Sequence, residues 1–299
     1  MDFIIITGAD DKYIKTLQNF IYSFTLDISC LVVYDLGLND ENSKIIHELN
    51  KKYSFTFKKF IYDSYPEHVD IKKYNGLYCS YAFKPVIIYN EANNILNEGK
   101  YIIWMDSANR FNKNSIELIC NSLVKYGIFS PISANENTIE SIELNHRDCV
   151  EHYNISQFEH IYSLTSRSAN VVAIDYKSQC GFSILNDWYK GSLDKNIICP
   201  NGSSRNNHRQ DQTILSILMY LYEKNNAVIF DKNNFDISFW NKYDISTIQD
   251  GYYPFKLIDK NTNIQLATIY CKNINDAVNE YAYRKKIDSD QLLDLFFVQ

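Results

Sequence analysis

Apolar and polar residues form regular blocks over the first third of the chain. Short continuous apolar runs predict strands that are buried on both faces of a sheet, at residues 3–7, 30–34, 55–60 and 101–105. Apolar side chains at helical spacing predict helices between these strands, at residues 13–24, 41–52 and 83–96. Strands that alternate with helices indicate an α/β fold with a mostly parallel central sheet flanked by helices.

The pattern is less regular in the rest of the chain. Helical spacing predicts helices at residues 115–126, 178–189, 210–223 and 287–297. Short apolar runs predict strands at residues 128–131 and 171–175, and a polar, histidine-containing stretch separates them. Because no internal repeat or long linker divides the chain, we expect one domain over residues 1–230 and a small C-terminal extension, residues 231–299, packed on the same domain.

Composition narrows the classes of function. The chain has 299 residues, of which 45% are hydrophobic, enough for a large core. The net charge is −6 and no long basic run occurs, which argues against a nucleic-acid partner. The seven cysteines form no Cys-x-x-Cys pair, so neither a disulfide framework nor a zinc knuckle is indicated. No basic leader precedes the first apolar run and no apolar segment reaches the roughly 20 residues that span a bilayer, so we expect a cytoplasmic protein.

Polar residues follow three of the predicted strands. Asp106 comes directly after the fourth apolar run, Asp35 follows the second, and residues 7–10 close the first. Because ligands of open α/β sheets bind at the carboxyl ends of the strands, these groups predict a crevice for a nucleotide. Each candidate has a simpler alternative. Asp106 and Asp35 can cap ordinary turns, and Lys84, at the start of a predicted helix, can be a solvated lysine rather than an anion contact.

Several catalytic motifs are absent from the sequence. There is no G-x-G-x-x-G after the first predicted strand and no P-loop, which disfavours dinucleotide and Walker-type phosphate sites. There is no G-x-S-x-G elbow of a serine hydrolase and no His-Glu-x-x-His zinc motif. The candidate chemistry therefore depends on the polar residues at the strand ends.

Four short segments in a fixed order carry a family resemblance. They read Val-Tyr-Asp-Leu-Gly-Leu at residues 33–38, Phe-Lys-Pro at 83–85, Ile-Trp-Met-Asp-Ser at 103–107 and Arg-Gln-Asp-Gln-Thr at 209–213. Together they resemble a nucleotide-sugar-dependent glycosyltransferase of the GT-A fold over residues 3–222. The series looks like an uncharacterised GT-A-like domain family, the DUF1647 type, and is more distantly similar to family 8 glycosyltransferases.

The resemblance implies a UDP-sugar donor and a hydroxyl acceptor on a glycan or a protein. It implies that strand-end loops and helix starts bind the nucleotide sugar, through Thr7, Gly8, Ala9, Asp10, Asp35, Lys84, Asp106, Ser107, Ala108 and Arg209. It also implies that Asp211 and Gln212 are the catalytic pair facing the sugar. Asp211 would act as general base in an inverting reaction, or help to shield an oxocarbenium-like centre in a retaining one. The alternative for Asp211 is an acid at a helix start, stabilised by the helix dipole.

The Asp-x-Asp motif, which in this family binds a divalent metal on the diphosphate, is incomplete in this chain. It reads Asp106-Ser107-Ala108, so the second carboxylate is missing. The implied metal site is Asp106 with His208, a weak Mn²⁺ or Mg²⁺ site, unless His208 is an ordinary loop histidine. Without a metal, the diphosphate charge would have to be offset by basic residues, Lys84, Arg205 or Arg209.

Two other functions stay open at this point. A protein that has lost transfer together with the second carboxylate would still bind UDP or a UDP-sugar. A Rossmann-like methyltransferase or a nucleotide-sugar hydrolase is the other alternative, although the glycine-poor first loop disfavours the methyltransferase. If transfer occurs, the Asn-, Ser- and Gly-containing residues 197–208 predict a mobile lid before the helix at residues 210–223.

Overall fold

Two compact units make up the chain, residues 1–240 and residues 241–299. The computed structural model describes residues 2–73, 81–110, 115–133, 145–155, 164–204, 207–232, 253–271, 273–285 and 287–299. The predicted domain boundary after residue 230, and the packing of the extension on the first domain, stay predictions.

A six-stranded sheet forms the centre of the described part of the first unit. Its strands are β1 (Phe3–Ala9), β2 (Leu31–Asp35), β3 (Thr56–Lys59), β4 (Tyr101–Met105), β5 (Ile128–Phe129) and β6 (Val171–Ile174). The six strands lie in the order β3-β2-β1-β4-β6-β5. Strands β1 to β4 pair in parallel, whereas β6 pairs antiparallel with both β4 and β5. The predicted α/β fold with a mostly parallel central sheet is therefore confirmed, with β6 running against the other strands.

Helices cover both faces of this sheet, as predicted. They are α1 (Ile14–Tyr22), α2 (Asp40–Tyr53), α3 (Phe83–Ala92), α4 (Ser115–Tyr126), α5 (Arg147–His152), α6 (Gln179–Leu193), α7 (Lys195–Ile198) and α8 (Gln210–Asn226). Helices α1, α2 and α4 pack on one face, and α3, α6 and α8 pack on the other. In β4, Ile102 and Trp104 face one layer while Ile103 and Met105 face the other, which explains the continuous apolar run.

Helix α3 is shorter than the sequence pattern predicts. It ends at Ala92, and Ile95–Asn97 forms a separate 3-10 turn. The Asn94 side chain accepts from the Leu96 N–H at 3.1 Å, so a local side-chain bond replaces the next helical turn. Within the described ranges, no helix is both long enough and apolar enough to span a bilayer.

The second unit has its own sheet and core. Its elements are β7 (Tyr253–Asp259), β8 (Gln265–Cys271), α9 (Ile274–Lys285), α10 (Ser289–Leu295) and β9 (Phe296–Val298). The strands are antiparallel in the order β8-β7-β9, and Leu257, Tyr281 and Leu292 belong to one buried cluster. The prediction of a helix to residue 297 was wrong at its end, because Phe296 leaves the helix and pairs with Asp259.

The strand order of the first unit places a crevice beside β1. From β1 the chain passes outward to β2 and β3, and α3 then precedes β4 on the other side of β1. Such a reversal of strand order marks the ligand crevice of open α/β sheets, outside the carboxyl ends of the strands. Because β6 is antiparallel to β4, its first residue, Val171, pairs with Met105 at this same edge.

Candidate active site

A cavity of about 420 Å³ lies at the carboxyl ends of β1 and β4, within the usual size range of small-molecule sites. Most of the residues implied by the resemblance line it: Gly8, Ala9, Asp10, Lys84, Asp106, Ser107, Ala108, Arg209, Asp211 and Gln212. They come from the loops after β1 and β4 and from the starts of α3 and α8. The fold thus brings together segments that are more than a hundred residues apart in the chain.

Lys84 is the centre of the charged groups in this cavity. Its Nζ lies 3.1 Å from Asp106 Oδ1 and 3.4 Å from Asp211 Oδ2. It also donates to the carbonyl oxygen of Ala169 at 3.0 Å. The side chains of Lys84 and Asp211 are 4% and 5% exposed, whereas that of Asp106 is 33% exposed. The cluster is therefore buried on the protein side and most open at Asp106.

Two tryptophans hold the acidic members of this cluster. Trp104, on β4, donates from Nε1 to Asp106 Oδ1 at 2.6 Å. Trp188, on α6, donates from Nε1 to the main-chain oxygen of Asp211 at 2.9 Å. Asp211 lies in the first turn of α8, where the helix dipole favours an anion, but Lys84 lies in the first turn of α3, where the dipole opposes a cation. The position of Lys84 therefore depends on the two carboxylates.

Burial and charge shift the protonation of this cluster. Burial raises the pKa of Asp211 to about 6, with Lys84 opposing this shift and Asp106 adding to it. Burial alone would lower the pKa of Lys84, but attraction to Asp106 and Asp211 outweighs it and raises that pKa. Lys84 is therefore charged at neutral pH, while Asp211 changes its charge near pH 6. Oδ2 of Asp211 is buried, and among the described residues it has no hydrogen-bond partner, although Lys84 Nζ lies 3.4 Å away.

The loop after β1 forms another part of the cavity wall. Gly8 leaves no room for a side chain, because a Cβ atom there would lie 2.9 Å from the carbonyl oxygen of Tyr34. Asp10 Oδ1 is buried with no hydrogen-bond partner in the part of the chain that is described, and burial raises the pKa of this carboxyl. Lys12 and Tyr13 also line the cavity, with Lys12 Nζ 5.3 Å from the centroid of the Tyr13 ring. This wall combines an acceptor oxygen, a cation and an exposed ring.

Arg110 and Ser107 join the loop after β4 to helix α1. It donates from Nη1 to the carbonyl oxygens of Ser107 and Asn109, each at 2.6 Å. Ser107 Oγ lies 3.2 Å from Oγ1 of Thr16 on α1. Since α1 follows the β1 loop, these contacts fix the two walls relative to each other.

Two residues of the cavity wall have left-handed backbone conformations. The φ angle is +52° at Tyr81 and +44° at Gln210. Such a conformation costs a non-glycine residue about 1–2 kcal/mol. Tyr81 precedes the helix that carries Lys84, and Gln210 immediately precedes Asp211. Backbone strain is therefore found where the charged cluster is positioned.

Thr7 and Asp35 do not line the cavity. Thr7 is fully buried within β1. Oδ1 of Asp35 accepts from the N–H groups of Gly37 and Leu38, at 2.8 and 2.7 Å, and so closes the turn after β2. The structure thus gives Asp35 a role in the turn, and its contact with a base stays a prediction.

His208 is fully buried and also lies away from the cavity wall. Its Nδ1 accepts from the N–H of His146 at 3.2 Å, which leaves Nε2 to donate to the carbonyl oxygen of Ile198 at 3.1 Å. Burial lowers the pKa of His208 to about 4, so the ring is neutral at pH 7. Both ring nitrogens are engaged, and this conformation offers no lone pair to a metal. Arg205 lies outside the described residues.

The donor groups in the cavity do not fit a resident divalent cation. Within the described parts of the chain, no group of three or more His, Cys, Asp or Glu side chains is arranged to hold a metal ion. Two of the carboxylates that line the cavity, Asp106 and Asp211, are already paired with Lys84. Ser107 and Ala108 add no anionic oxygen.

Some polar and aromatic residues of the wall were not predicted as site residues, namely Lys12, Tyr13, Tyr81, Trp104, Asn170 and Gln210. Trp104 and Gln210 lie inside segments that carry the resemblance, and Lys12 and Tyr13 follow the predicted residues 7–10 closely, so position in the chain was an available signal. Tyr81 had no such signal, because packing decides which side chains meet the cavity. Asn170 was missed because the reversed direction of β6 brings the start of that strand, not its end, to the cavity edge.

No protein-family model matches this chain, and no curated protein matches its sequence. Similar solved structures include the galactosyltransferase LgtC in complex with donor and acceptor sugar analogues, at 16% identity over 73% of this chain and 70% of that one, with a TM-score of 0.39. Mouse xyloside xylosyltransferase 1 is 13% identical over 79% of this chain and 86% of that one, with a TM-score of 0.40. The bifunctional glycosyltransferase WbbM is 10% identical over 74% of this chain and 38% of that one, with a TM-score of 0.47. These neighbours are glycosyltransferases, but with TM-scores this low the likeness does not carry a functional argument.

Proposed function

We propose that this protein is a GT-A-type glycosyltransferase that moves a sugar from a UDP-sugar to a hydroxyl group of a glycan or protein acceptor. The observation that carries the proposal is the cluster of Lys84, Asp106 and Asp211 in a cavity at the carboxyl ends of β1 and β4. Three of the four segments that resemble the family supply this cluster. The closer similarity to the DUF1647-type family belongs to the same proposal.

The cavity wall has the groups that a nucleoside diphosphate needs. Asp10 Oδ1 has no partner among the described residues and can accept from a nucleoside N–H or O–H, while Tyr13 offers a ring face to the base. Asp106 is the most exposed member of the charged cluster, which supports a role for it as acceptor from ribose hydroxyls. Lys12 and Arg209 add positive charge along the same wall for the two phosphates.

Asp211 is the proposed group at the reacting sugar carbon. In transfer, the acceptor oxygen forms a bond to the anomeric carbon, the bond from that carbon to the phosphate oxygen breaks, and UDP leaves with the electron pair. The hydroxyl proton must go to a base. Above about pH 6 the Asp211 carboxylate is ionised and can take this proton or shield the positive charge at the carbon. Gln212, whose Nε2 lies 3.3 Å from Ser166 Oγ, supplies a neighbouring polar contact.

Calorimetry followed by a transfer assay tests the proposal. We expect UDP and UDP-glucose to bind, and GDP and S-adenosylmethionine to bind much more weakly. With an acceptor panel of glycans and peptides, UDP should be released together with a glycosylated product. Asp187→Asn changes an exposed acid on α6 and should leave both results unchanged.

Other results of the binding and transfer assays would favour the alternative functions. UDP release that needs no acceptor would indicate a nucleotide-sugar hydrolase. UDP binding without transfer to any acceptor would indicate a binding protein that has lost activity. Absence of UDP binding, or binding of S-adenosylmethionine instead, would contradict the proposal.

A further inference from the structure

The Lys84 ammonium lies in a site built of four oxygen atoms. These are Asp106 Oδ1 at 3.1 Å, Asp106 Oδ2 at 3.4 Å, Asp211 Oδ2 at 3.4 Å and the carbonyl oxygen of Ala169 at 3.0 Å. Two carboxylates and a carbonyl are the donor set that a hard divalent cation prefers. In this chain the same donor set holds a side-chain cation.

Lys84 is held in this site from several sides. Its side chain is 4% exposed and begins in the first turn of α3, so it cannot swing into solvent without leaving the core. The rings of Tyr81 and Trp104 lie beside it, with centroids 5.7 and 5.8 Å from Nζ. A divalent ion that used Asp106 and Asp211 would therefore lie within a few ångströms of a fixed ammonium, and the two cations would repel each other strongly.

The ammonium also sets the charge that a diphosphate would meet. Asp106 is the open side of the cluster, and Arg209 and Lys12 lie on the same wall. Lys84 offsets one of the two negative charges of Asp106 and Asp211, and without it two unpaired carboxylates would repel a diphosphate bound beside Asp106. Arg209 and Lys12 would then supply the positive charge that stabilises the leaving group without a metal ion.

We propose that Lys84 is the resident cation of this site, and that the protein binds the diphosphate of its donor without a divalent metal. The inference rests on the proposed function, because it assumes a nucleoside diphosphate in this cavity. It also predicts that a variant without the Lys84 ammonium has a metal-binding site in its place. When the ammonium is removed, the four oxygen atoms lose their cation and can bind Mn²⁺, with Asp106 Oδ1 still accepting from Trp104 Nε1.

The test is UDP calorimetry in excess EDTA and in excess Mn²⁺, together with a titration of Mn²⁺ alone followed by electron paramagnetic resonance. For the wild type we expect the Kd for UDP to differ by less than about threefold between the two conditions, and no Mn²⁺ to bind the protein alone. Lys84→Met should weaken UDP binding at least about tenfold in EDTA. The variant should bind Mn²⁺ directly, and Mn²⁺ should recover much of the lost UDP affinity.

Two further variants complete the test. Lys84→Arg keeps the charge and should bind UDP equally in EDTA and Mn²⁺. Lys44→Met removes an exposed lysine of α2 and should behave as the wild type. If Lys84→Met does not fold, the Kd values for UDP of the wild type and of Lys84→Arg, each measured in EDTA and in Mn²⁺, decide whether binding needs a metal.

Specific results would overturn the inference. UDP binding by the wild type that improves tenfold or more with Mn²⁺ contradicts it and leaves the proposed function intact. A Lys84→Met variant that binds UDP as the wild type does in EDTA contradicts it as well. If the wild type binds no UDP in either condition, the proposed function itself fails, and this inference fails with it.

Discussion

Helix α3 contributes to two buried ionic clusters that differ in how completely their oxygen atoms are bonded. Near its end, Glu91 is 2% exposed, and its Oε1 accepts from the Tyr34 hydroxyl and, at 2.5 Å, from Lys58 Nζ. Oε2 of Glu91 accepts from Asn97 Nδ2 at 2.7 Å. Both oxygen atoms of this carboxylate are therefore satisfied within the protein.

At the start of the same helix, the Lys84 cluster is incomplete. Asp211 Oδ2 has no hydrogen-bond partner among the described residues, although the Lys84 ammonium lies 3.4 Å away. This cluster lines a cavity, and burial raises the pKa of its Asp211 carboxyl. The Glu91 side chain, by contrast, accepts hydrogen bonds from Tyr34, Lys58 and Asn97. The contrast supports the proposal that Glu91 stabilises the fold whereas the Lys84 cluster is organised for a ligand.

The largest expected effect is on transfer in Asp211→Asn. Loss of the proposed base should lower the transfer rate by about 10²- to 10⁴-fold, while the Kd for UDP changes by less than about threefold. The variant should also lose the part of the pH dependence of stability that comes from Asp211. A buried carboxyl with a raised pKa stabilises the fold below its unfolded pKa of 3.8, and this stability is lost as pH rises through about 6. The amide does not ionise and avoids that loss.

Single-turnover assays and urea unfolding of Asp211→Asn measure these quantities. Asp187→Asn is the matched control at an exposed site. Equal losses of rate and of UDP affinity, or full activity, would reduce Asp211 to an acid at a helix start.

The same acid-to-amide change should act in the opposite way at Glu91. In Glu91→Gln the new NH₂ group faces either the donors of Tyr34 and Lys58 or the donor of Asn97, and the buried ion pair is lost. We expect the free energy of unfolding to fall by about 2–3 kcal/mol, with the Kd for UDP unchanged in the folded protein. Urea unfolding and calorimetry on one preparation measure both. A variant of normal stability with weakened UDP binding would reverse the assignment of the two clusters.

Asp106→Ala separates binding from stability within the incomplete cluster. Removal of a charged hydrogen-bond acceptor for the ribose should weaken UDP binding by about 1–3 kcal/mol. Lys84 retains Asp211 and the Ala169 carbonyl oxygen, so the fold should persist. Calorimetry with UDP is the measurement, and Asp187→Asn again serves as control. Wild-type affinity in Asp106→Ala would remove Asp106 from the nucleotide site.

The sequence predicted single members of the site better than their contacts. Asp106 was predicted at a strand end because the apolar run of β4 stops there, and β4 has the predicted bounds. Lys84 and Asp211 were also singled out, but their ion pair depends on the order of strands in the sheet, which no local pattern encodes. His208 shows the same limit. Its ring is held by contacts with His146, which is distant in the sequence, and with Ile198, which lies on α7.

The smallest expected effect concerns His208, which resembles Glu91 in being satisfied within the protein. Because burial lowers its pKa from 6.5 to about 4, the unfolded chain binds the proton more readily, and the stability present above pH 6.5 is lost as pH falls toward 4. Between pH 7 and pH 5.5 this loss should be about 1 kcal/mol. Asp211 has the opposite sign over the same interval, so the difference between wild type and His208→Gln, measured by urea unfolding at several pH values, isolates the histidine. If His208→Gln keeps the pH dependence of the wild type, the ring is not held neutral by the contacts described, and His208 is not satisfied within the protein as Glu91 is.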